Sequence, residues 1–414
     1  MKNLKSTALR LILFFGLISL LGDIIYEGAR GVNGPYLETL GASAAIVGLV
    51  AGLGELLGYL IRLASGYFSD QTRAHWFFTI FGYSFLMVIP MLALTGIWQF
   101  AAIFMVLERI GKGIRSPAKD TILSQATKQV GTGFGFAIVE FLDQIGATVG
   151  PLIFTFFFMS IGPGEKSVID YQHGYSLMWF PFVVLMMVLF TAFFLVKNPE
   201  ELETSVVKKP QPDKITRTFW LYCIFTFVTT LGFLNFAIIG YHLKANAIVT
   251  DAQIPLMYAL AMAVDAVIGL IIGKWYDKLK TRHNNEHAGL LLLIMIPLLT
   301  APIPLLSLSP GLPVSQSPHL LFILIGVTLW GIVMGTHETI MKAAIADITS
   351  IRKRGTGYGI FNTVYGIAIF IGSAAAGFLY DYSITLLVVL MIIVELMAVP
   401  LFFLLRKEVK KVSL

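Results

Sequence analysis

The sequence predicts an all-α membrane protein: twelve transmembrane helices arranged as two six-helix bundles related by a pseudo-two-fold axis. Three observations carry that expectation. Of the 414 residues, 57% are hydrophobic and 13% charged, with a mean hydropathy of +0.80, an apolar excess that only a lipid environment absorbs. Basic residues gather in alternate segments between the apolar runs. A short signature also occurs twice, as GYFSDQTR at 66–73 and as GKWYDKLKTR at 273–282, each with Gly four residues before Asp.

The twelve runs lie at 9–30, 41–68, 76–96, 98–117, 131–160, 175–196, 217–243, 254–276, 287–308, 319–345, 356–380 and 383–405. Each is long enough to cross ~30 Å of hydrocarbon as a helix. A barrel is excluded, since its strands would show ~10-residue segments of alternating polarity. The first run holds Asp23, Glu27 and Arg30. The second holds Glu55 and Arg62 and ends in the first signature, and the fourth holds Glu108 and Arg109. The fifth opens on GTGFGF at Gly131 and holds Glu140 and Asp143. In the second half, the seventh run contains the single cysteine, Cys223, read as core packing, which rules out disulfides. The eighth holds Asp265 and ends in the second signature; the tenth holds His337 and Glu338. The eleventh opens on GTGYGI at Gly355, and the twelfth holds Glu395.

Orientation follows from Lys and Arg. Lys2, Lys5 and Arg10 stand before or at the start of the first run, and Arg406, Lys407, Lys410 and Lys411 follow the last. Between them the basic clusters fall at Arg73, Lys112–Lys128, Lys197–Arg217, Lys274–Arg282 and Arg352–Arg354. Both termini are therefore expected in the cytoplasm of a cell whose cytoplasmic, or inner, membrane the chain spans many times. The net charge of +6 is this bias, so no nucleic-acid partner is expected. No cleavable leader is expected either, because the first run is long and carries acids. The polar, Pro-containing segment 197–216 divides the chain into an N-terminal bundle, 1–196, and a C-terminal bundle, 217–414. A repeat this long is one unit used twice.

These motifs resemble the major facilitator superfamily. Gly66, Asp70 and Arg73 match its motif between the second and third helices, with Ser69 at the small position. Arg109, Gly111 and Gly113 in LERIGKGIR resemble its fourth-helix motif, with Lys112 in place of the usual Gln. Gly146, Gly150 and Pro151 in GATVGPLIF resemble the fifth-helix motif of its proton-coupled antiporters, although Ile153 and Phe154 stand where that motif closes on glycine. The resemblance covers the whole chain. It implies alternating access about a midplane site between two bundles, and a cytoplasmic gate. In that gate Asp70 faces the eleventh helix start at Gly355 and Gly357, while Asp277, four residues after Gly273, faces the fifth at Gly131 and Gly133. A carboxylate is stabilised at such helix N-termini. The other reading of these two acids is that each caps its own next helix.

Acids inside the runs set the chemistry. Asp23, Glu27, Glu55, Glu108, Glu140, Asp143, Asp265, Glu338 and Glu395 are embedded, and an ionised group costs ~2.5–3.5 kcal/mol at the bilayer centre on insertion scales. They must pair, protonate or line water. Arg30, Arg62 and Arg109 are the expected embedded partners. Asp23, Glu27 and Arg30 fall on one helical face, as do Glu55 and Arg62, and Glu140 and Asp143. Glu108 and Arg109 point apart and need separate partners. Burial favours the neutral form of a carboxyl, which lets such groups load and release protons. Asp23, Glu27 and Arg109 lead the proton-coupling candidates, with static ion pairs as the alternative. His337 is either a relay or a hydrogen-bonded core histidine, and Glu395 is expected in a static ion pair. The N-terminal bundle is expected to handle protons and the C-terminal bundle to offer more apolar substrate surface. Tyr26, Tyr59, Phe233, Asn235, Asn362 and Tyr365 are candidate substrate contacts.

An enzyme is not expected, since no P-loop, nucleophile motif or metal-ligand cluster occurs. No metal and no cofactor are expected. The expected partners are a small-molecule substrate, protons and the lipid bilayer, with the chain acting as a monomer. The leading reading is proton-coupled efflux of a drug-like or metabolite substrate. The alternatives are a proton-coupled uptake symporter and a non-transporting sensor of the same fold.

Overall fold

A computed structural model describes residues 2–199, 216–283, 288–309, 319–349 and 354–412. Among them every regular element is helical, and the elements follow the twelve apolar runs. They are α1 (Lys2–Thr39), α2 (Ala44–Thr72), α3 (His75–Leu94), α4 (Trp98–Thr127), α5 (Thr132–Ser160) and α6 (Val168–Leu195). After the segment 200–215, which lies outside the described residues, come α7 (Arg217–Ala245), α8 (Gln253–His283), α9 (Ala288–Ser307) and α10, whose first piece is His319–Thr336. α11 (Arg354–Tyr382) and α12 (Ile384–Val412) complete the chain. Eleven of these segments are long and apolar enough to cross a membrane. The exception is α4, whose Glu108, Arg109, Lys112, Arg115, Lys119 and Asp120 dilute its hydropathy.

Several helices outrun or depart from their apolar runs. α4 continues past Pro117 to Thr127, ten residues beyond the expected end, which draws Lys119 onto the helix along with Lys112 and Arg115 of the same basic cluster. α6 begins at Val168 through a capping box, in which Ser167 and Asp170 satisfy each other's backbone amides. α7 is interrupted between Leu231 and Phe236. α10 passes through a π-helical turn, His337–Met341, before resuming as Lys342–Ile348.

The chain packs into two compact units. The first holds residues 1–42, 53–208 and 250–259; the second holds 43–52, 209–249 and 260–414. Each unit thus takes a short piece from the other half of the sequence: the start of α2 belongs to the second, and the start of α8 to the first. Specific polar contacts fix these exchanges. In the second unit the Asp381 carboxylate accepts the Ala44 and Ala45 amides at 3.1 and 2.9 Å. In the first, Asp251 accepts the Lys166 amide and the Tyr171 hydroxyl, both at 2.7 Å.

Apolar side chains such as Phe180, Phe194, Leu270 and Met397 remain exposed, as expected where the surrounding solvent is lipid. Glycine sets the tightest helix contacts. A methyl group on Gly150 of α5 would meet the Ile24 carbonyl oxygen of α1 at 2.5 Å and the Gly28 amide at 2.8 Å. Such backbone approach is how membrane helices pack without a hydrophobic drive between them.

Candidate functional site

In the first unit, the α1–α5 contact brings the polar face of α1 beside α4. The α2–α4 contact is equally close, since a methyl group on Gly113 would lie 2.6 Å from the Gly58 carbonyl oxygen and one on Gly54 would lie 2.9 Å from Arg109 Cγ. These two contacts assemble a chain of alternating charges. Glu27 Oε1 lies 3.6 Å from Arg30 Nη1. Glu55 Oε1 is shared, at 3.2 Å each, by Arg30 Nη2 and Arg109 Nη1. Arg109 Nε then lies 3.6 Å from Glu108 Oε2, and Glu108 Oε1 lies 3.6 Å from Arg115 Nη2. Glu27, Glu108 and Arg115 are buried, and Arg30, Glu55 and Arg109 half-buried.

Tyr26 sits at the centre. Its hydroxyl accepts from Arg30 Nη1 at 3.3 Å and also from Arg109 Nη1. The Arg109 guanidinium and the Lys112 ammonium lie 4.3 and 4.0 Å from the ring centroid, within cation–π range. Tyr258, at the start of α8, donates to Glu27 Oε2 at 2.5 Å. Asp23 is half-buried within electrostatic reach of Lys112, Lys119, Asp143 and Glu27.

The structure corrects several expectations. Three arginines are not the whole basic complement, because Lys112, Arg115 and Lys119 join it; Lys119 Nζ reaches Ser19 Oγ at 3.2 Å. Reading Lys112–Lys128 as one loop cluster that sets orientation hides them. Glu108 and Arg109 do not point apart, since they lie 3.6 Å from each other while each also has a further partner. Arg62 does not pair with Glu55. Its guanidinium lies 5.3 Å from the Tyr59 ring centroid, and its Nε has no hydrogen-bond partner among the described residues. Glu140 is exposed and Asp143, one turn on along the same helix, half-buried. Glu395 is fully buried and neither oxygen has a hydrogen-bond partner among the described residues, which removes the expected static pair.

The second unit gathers aromatics where two helices are irregular. At the α7 break, Phe233 stacks on Trp330 with centroids 5.4 Å apart, and Trp330 Nε1 donates to the Leu234 carbonyl at 2.8 Å. His337, opening the π-turn of α10, lies 5.4 Å from the Phe233 ring and 3.5 Å from the Tyr365 hydroxyl. Irregular helix turns of this kind recur at functional sites. Asn235 is used locally: it caps the second piece of α7 by accepting the Ala237 amide at 3.0 Å. Asn362 and Glu338 are half-buried, and Asp265 is buried against α10, where a methyl group on Gly335 would lie 2.8 Å from its Oδ1.

At the signature loops, Asp70 and Asp277 are exposed. Asp70 does not cap α3, whose N-cap is Ala74 with no side-chain bond. Gly131 enters α5 at φ 111°, open to glycine, while the side-chain surroundings of 132–133 and 351–355 lie outside the described residues. Sequence reading missed the Asp347 cluster nearby, where Tyr276 donates at 2.7 Å and Lys280 at 2.8 Å. It also missed Tyr258, Asp251 and Asp381. A lone Asp or Tyr at a helix end carries no periodic signal.

Comparison with known proteins agrees with this architecture. The chain is 35% identical over 406 residues to an uncharacterized protein of Mycobacterium tuberculosis, covering 97% of this chain and 94% of that one. It is 25% identical over 378 residues to an uncharacterized MFS-type transporter of Methanocaldococcus jannaschii, covering 89% and 88%. The crystal structure of a bacterial homolog to the human lysosomal transporter Spinster, in an inward-facing and occupied conformation, superposes with a TM-score of 0.69 at 16% identity, covering 96% of each chain. The family model described as Major Facilitator Superfamily matches residues 12–336 and 290–414. A twelve-helix chain so matched along its length belongs to that superfamily, whose members are transporters.

Proposed function

We propose that this chain is a proton-coupled secondary transporter that exports a small molecule across the cytoplasmic membrane, with both termini inside. The observation that supports it most is the bond from Tyr258 to Glu27, which ties the start of α8 to a carboxylate within the charge chain. Protonating Glu27 would remove its attraction for Arg30 and shift that guanidinium towards Glu55 and the Tyr26 hydroxyl. It would also replace a strong phenol–carboxylate bond by a neutral one. Proton binding is thereby coupled to how firmly α8 is held.

In this reading Glu27 is the proton carrier, Arg30 and Arg109 are its exchange partners, and Asp23 with Lys112 forms an accessory pair. Phe233, Tyr365 and His337 contribute the apolar, aromatic side of the substrate site. The bundles 1–196 and 217–414, joined by 197–216, move as the alternating bodies, and Asp70 and Asp277 act at the cytoplasmic gate. Export is favoured over uptake by Gly146, Gly150 and Pro151, which resemble the antiporter motif.

Ligands found by thermal stabilisation of the purified protein would be tested in proteoliposomes carrying a pH gradient. Accumulation against the proton gradient, lost in Glu27→Gln while substrate exchange persists, is the expected result. Accumulation along the proton gradient would establish uptake instead. Binding without any flux would establish a sensor.

A further inference from the structure

Glu395 stands outside the charge chain and is unlike every other acid of the second unit. The buried face of α12 runs through Val388, Met391, Glu395, Ala398, Phe402, Leu405 and Val409, a single helical stripe, and Glu395 is its one polar member. It lies near the middle of a 29-residue helix, so it sits at bilayer depth. Its carboxyl occupies the space that Gly232 leaves empty: a methyl group there would come within 2.5 Å of Oε1 and 3.0 Å of Cγ. Gly232 begins the break in α7, so the acid is seated against a helix interruption.

No described donor reaches either oxygen. The ionisable groups on the elements packed against α12 are engaged elsewhere or lie at helix ends. On α7 these are Arg217, at the helix start, Tyr222, which donates to the Met341 carbonyl, buried Cys223, and beyond the break Tyr241 and His242, both against Tyr380, with Lys244 in the last turn. α9 carries none. On α11, Arg354 is the first residue, Tyr365 faces His337, Tyr380 bonds His242, Asp381 binds the α2 amides, and Tyr358 and Tyr382 stand towards the two ends. On α12 itself, Arg406, Lys407, Glu408, Lys410 and Lys411 lie three turns or more away. An ionised carboxylate so placed has neither water nor counter-charge.

We propose that Glu395 is a second proton-binding site, whose carboxyl is neutral while seated against the α7 break and releases its proton when that break opens to water. The ligand is the proton alone. Trp330 provides a local reporter, because it stacks on Phe233 and bonds the Leu234 carbonyl within the same break. The site is independent of the Glu27 chain, and its test requires no substrate and no flux.

Infrared difference spectra and tryptophan emission of the full chain in liposomes, taken from acid to alkaline pH, test this. The wild type is expected to show a protonated-carboxyl stretch at neutral pH that is missing from Glu395→Gln. That band should disappear at alkaline pH together with a shift in emission that Trp330→Phe abolishes. Should Glu395→Gln fail to fold, Glu395→Met gives the same comparison, and Glu27→Gln should leave the band in place. Identical spectra in wild type and variant would overturn the proposal, as would loss of the band without a Trp330 response. Removal of the band by sodium or potassium ions at fixed pH would overturn it in favour of a metal-cation site.

Discussion

The Tyr258 hydroxyl donates to Glu27 Oε2 at 2.5 Å, joining the start of α8 to the middle of α1. Both groups are buried, so the bond is formed away from competing water. A hydrogen bond to a charged acceptor contributes about 1.5–3 kcal/mol. Tyr258→Phe removes the donor and keeps the ring. We expect proton-driven flux in proteoliposomes to fall roughly tenfold to a hundredfold, with substrate binding changed far less. An unaltered flux would detach this contact from coupling.

Lowering the pH acts on the same bond from the other side. Protonation of Glu27 removes its negative charge, so low pH in the wild type should mimic Glu27→Gln. The dependence of transport on pH is therefore expected to be steep in the wild type and flat in Glu27→Gln, measured as exchange rate across symmetric pH steps. A variant retaining the wild-type profile would move the titrating group elsewhere in the chain.

Glu55 is the hinge of the charge chain, because one oxygen serves both Arg30 and Arg109 at 3.2 Å. Removing one member of a buried ion pair costs about 3–5 kcal/mol, since the remaining charge is left uncompensated. Glu55→Gln should therefore destabilise strongly. Adding Arg109→Met should recover part of the loss, a coupling of about 0.5–3 kcal/mol. Thermal unfolding of the two singles and the double in detergent measures it. Strict additivity would show that the shared oxygen is a coincidence of packing.

The twelve spans and the charged α1 face were legible because both are periodic: apolar runs fix helix existence, and spacings of three, four and seven fix shared faces. What escaped is not periodic. Lys112, Arg115 and Lys119 count with the basic cluster 112–128 that sets orientation, and the end of α4 lies beyond Pro117, a residue that usually stops a helix. Yet Arg115 extends the ion-pair chain, Lys112 lies over Tyr26 and Lys119 reaches Ser19. The breaks at Gly232–Asn235 and His337–Met341 sit inside the seventh and tenth apolar runs with no proline to mark them. Tyr258 reads as one more apolar-run tyrosine, and only the fold brings it to Glu27.

The fifth-helix glycines are a packing device as well as a resemblance. A methyl group on Gly150 would sit 2.5 Å from the Ile24 oxygen and 2.8 Å from the Gly28 amide, both backbone atoms that have no room to yield. Overpacking of this kind costs about 1–3 kcal/mol. Gly150→Ala should lower thermal stability by that order and, by displacing α1, weaken coupled flux more than it weakens ligand binding. Equal losses in both would assign the glycine to folding alone.

Asp381 and Asp251 make the last prediction, because each holds a helix start belonging to the other half of the sequence. Asp381 receives both the Ala44 and Ala45 amides, the unpaired donors of the first turn of α2. Loss of such a cap costs about 0.5–2 kcal/mol. Asp381→Ala should show that loss, and Asp381→Asn, which keeps one acceptor oxygen, about half of it. Asp251→Ala removes the acceptor of the Lys166 amide and of the Tyr171 hydroxyl, leaving two buried donors unsatisfied. Its effect on stability should therefore be the larger of the two. The two acids share no partner, so the double substitution should be additive within about 0.5 kcal/mol. A cysteine at position 45 should become more reactive to external thiol reagents in Asp381→Ala, because its amide anchor is gone. Unchanged labelling would mean that the glycines at 48, 52 and 377, and not the carboxylate, hold the start of α2 in place.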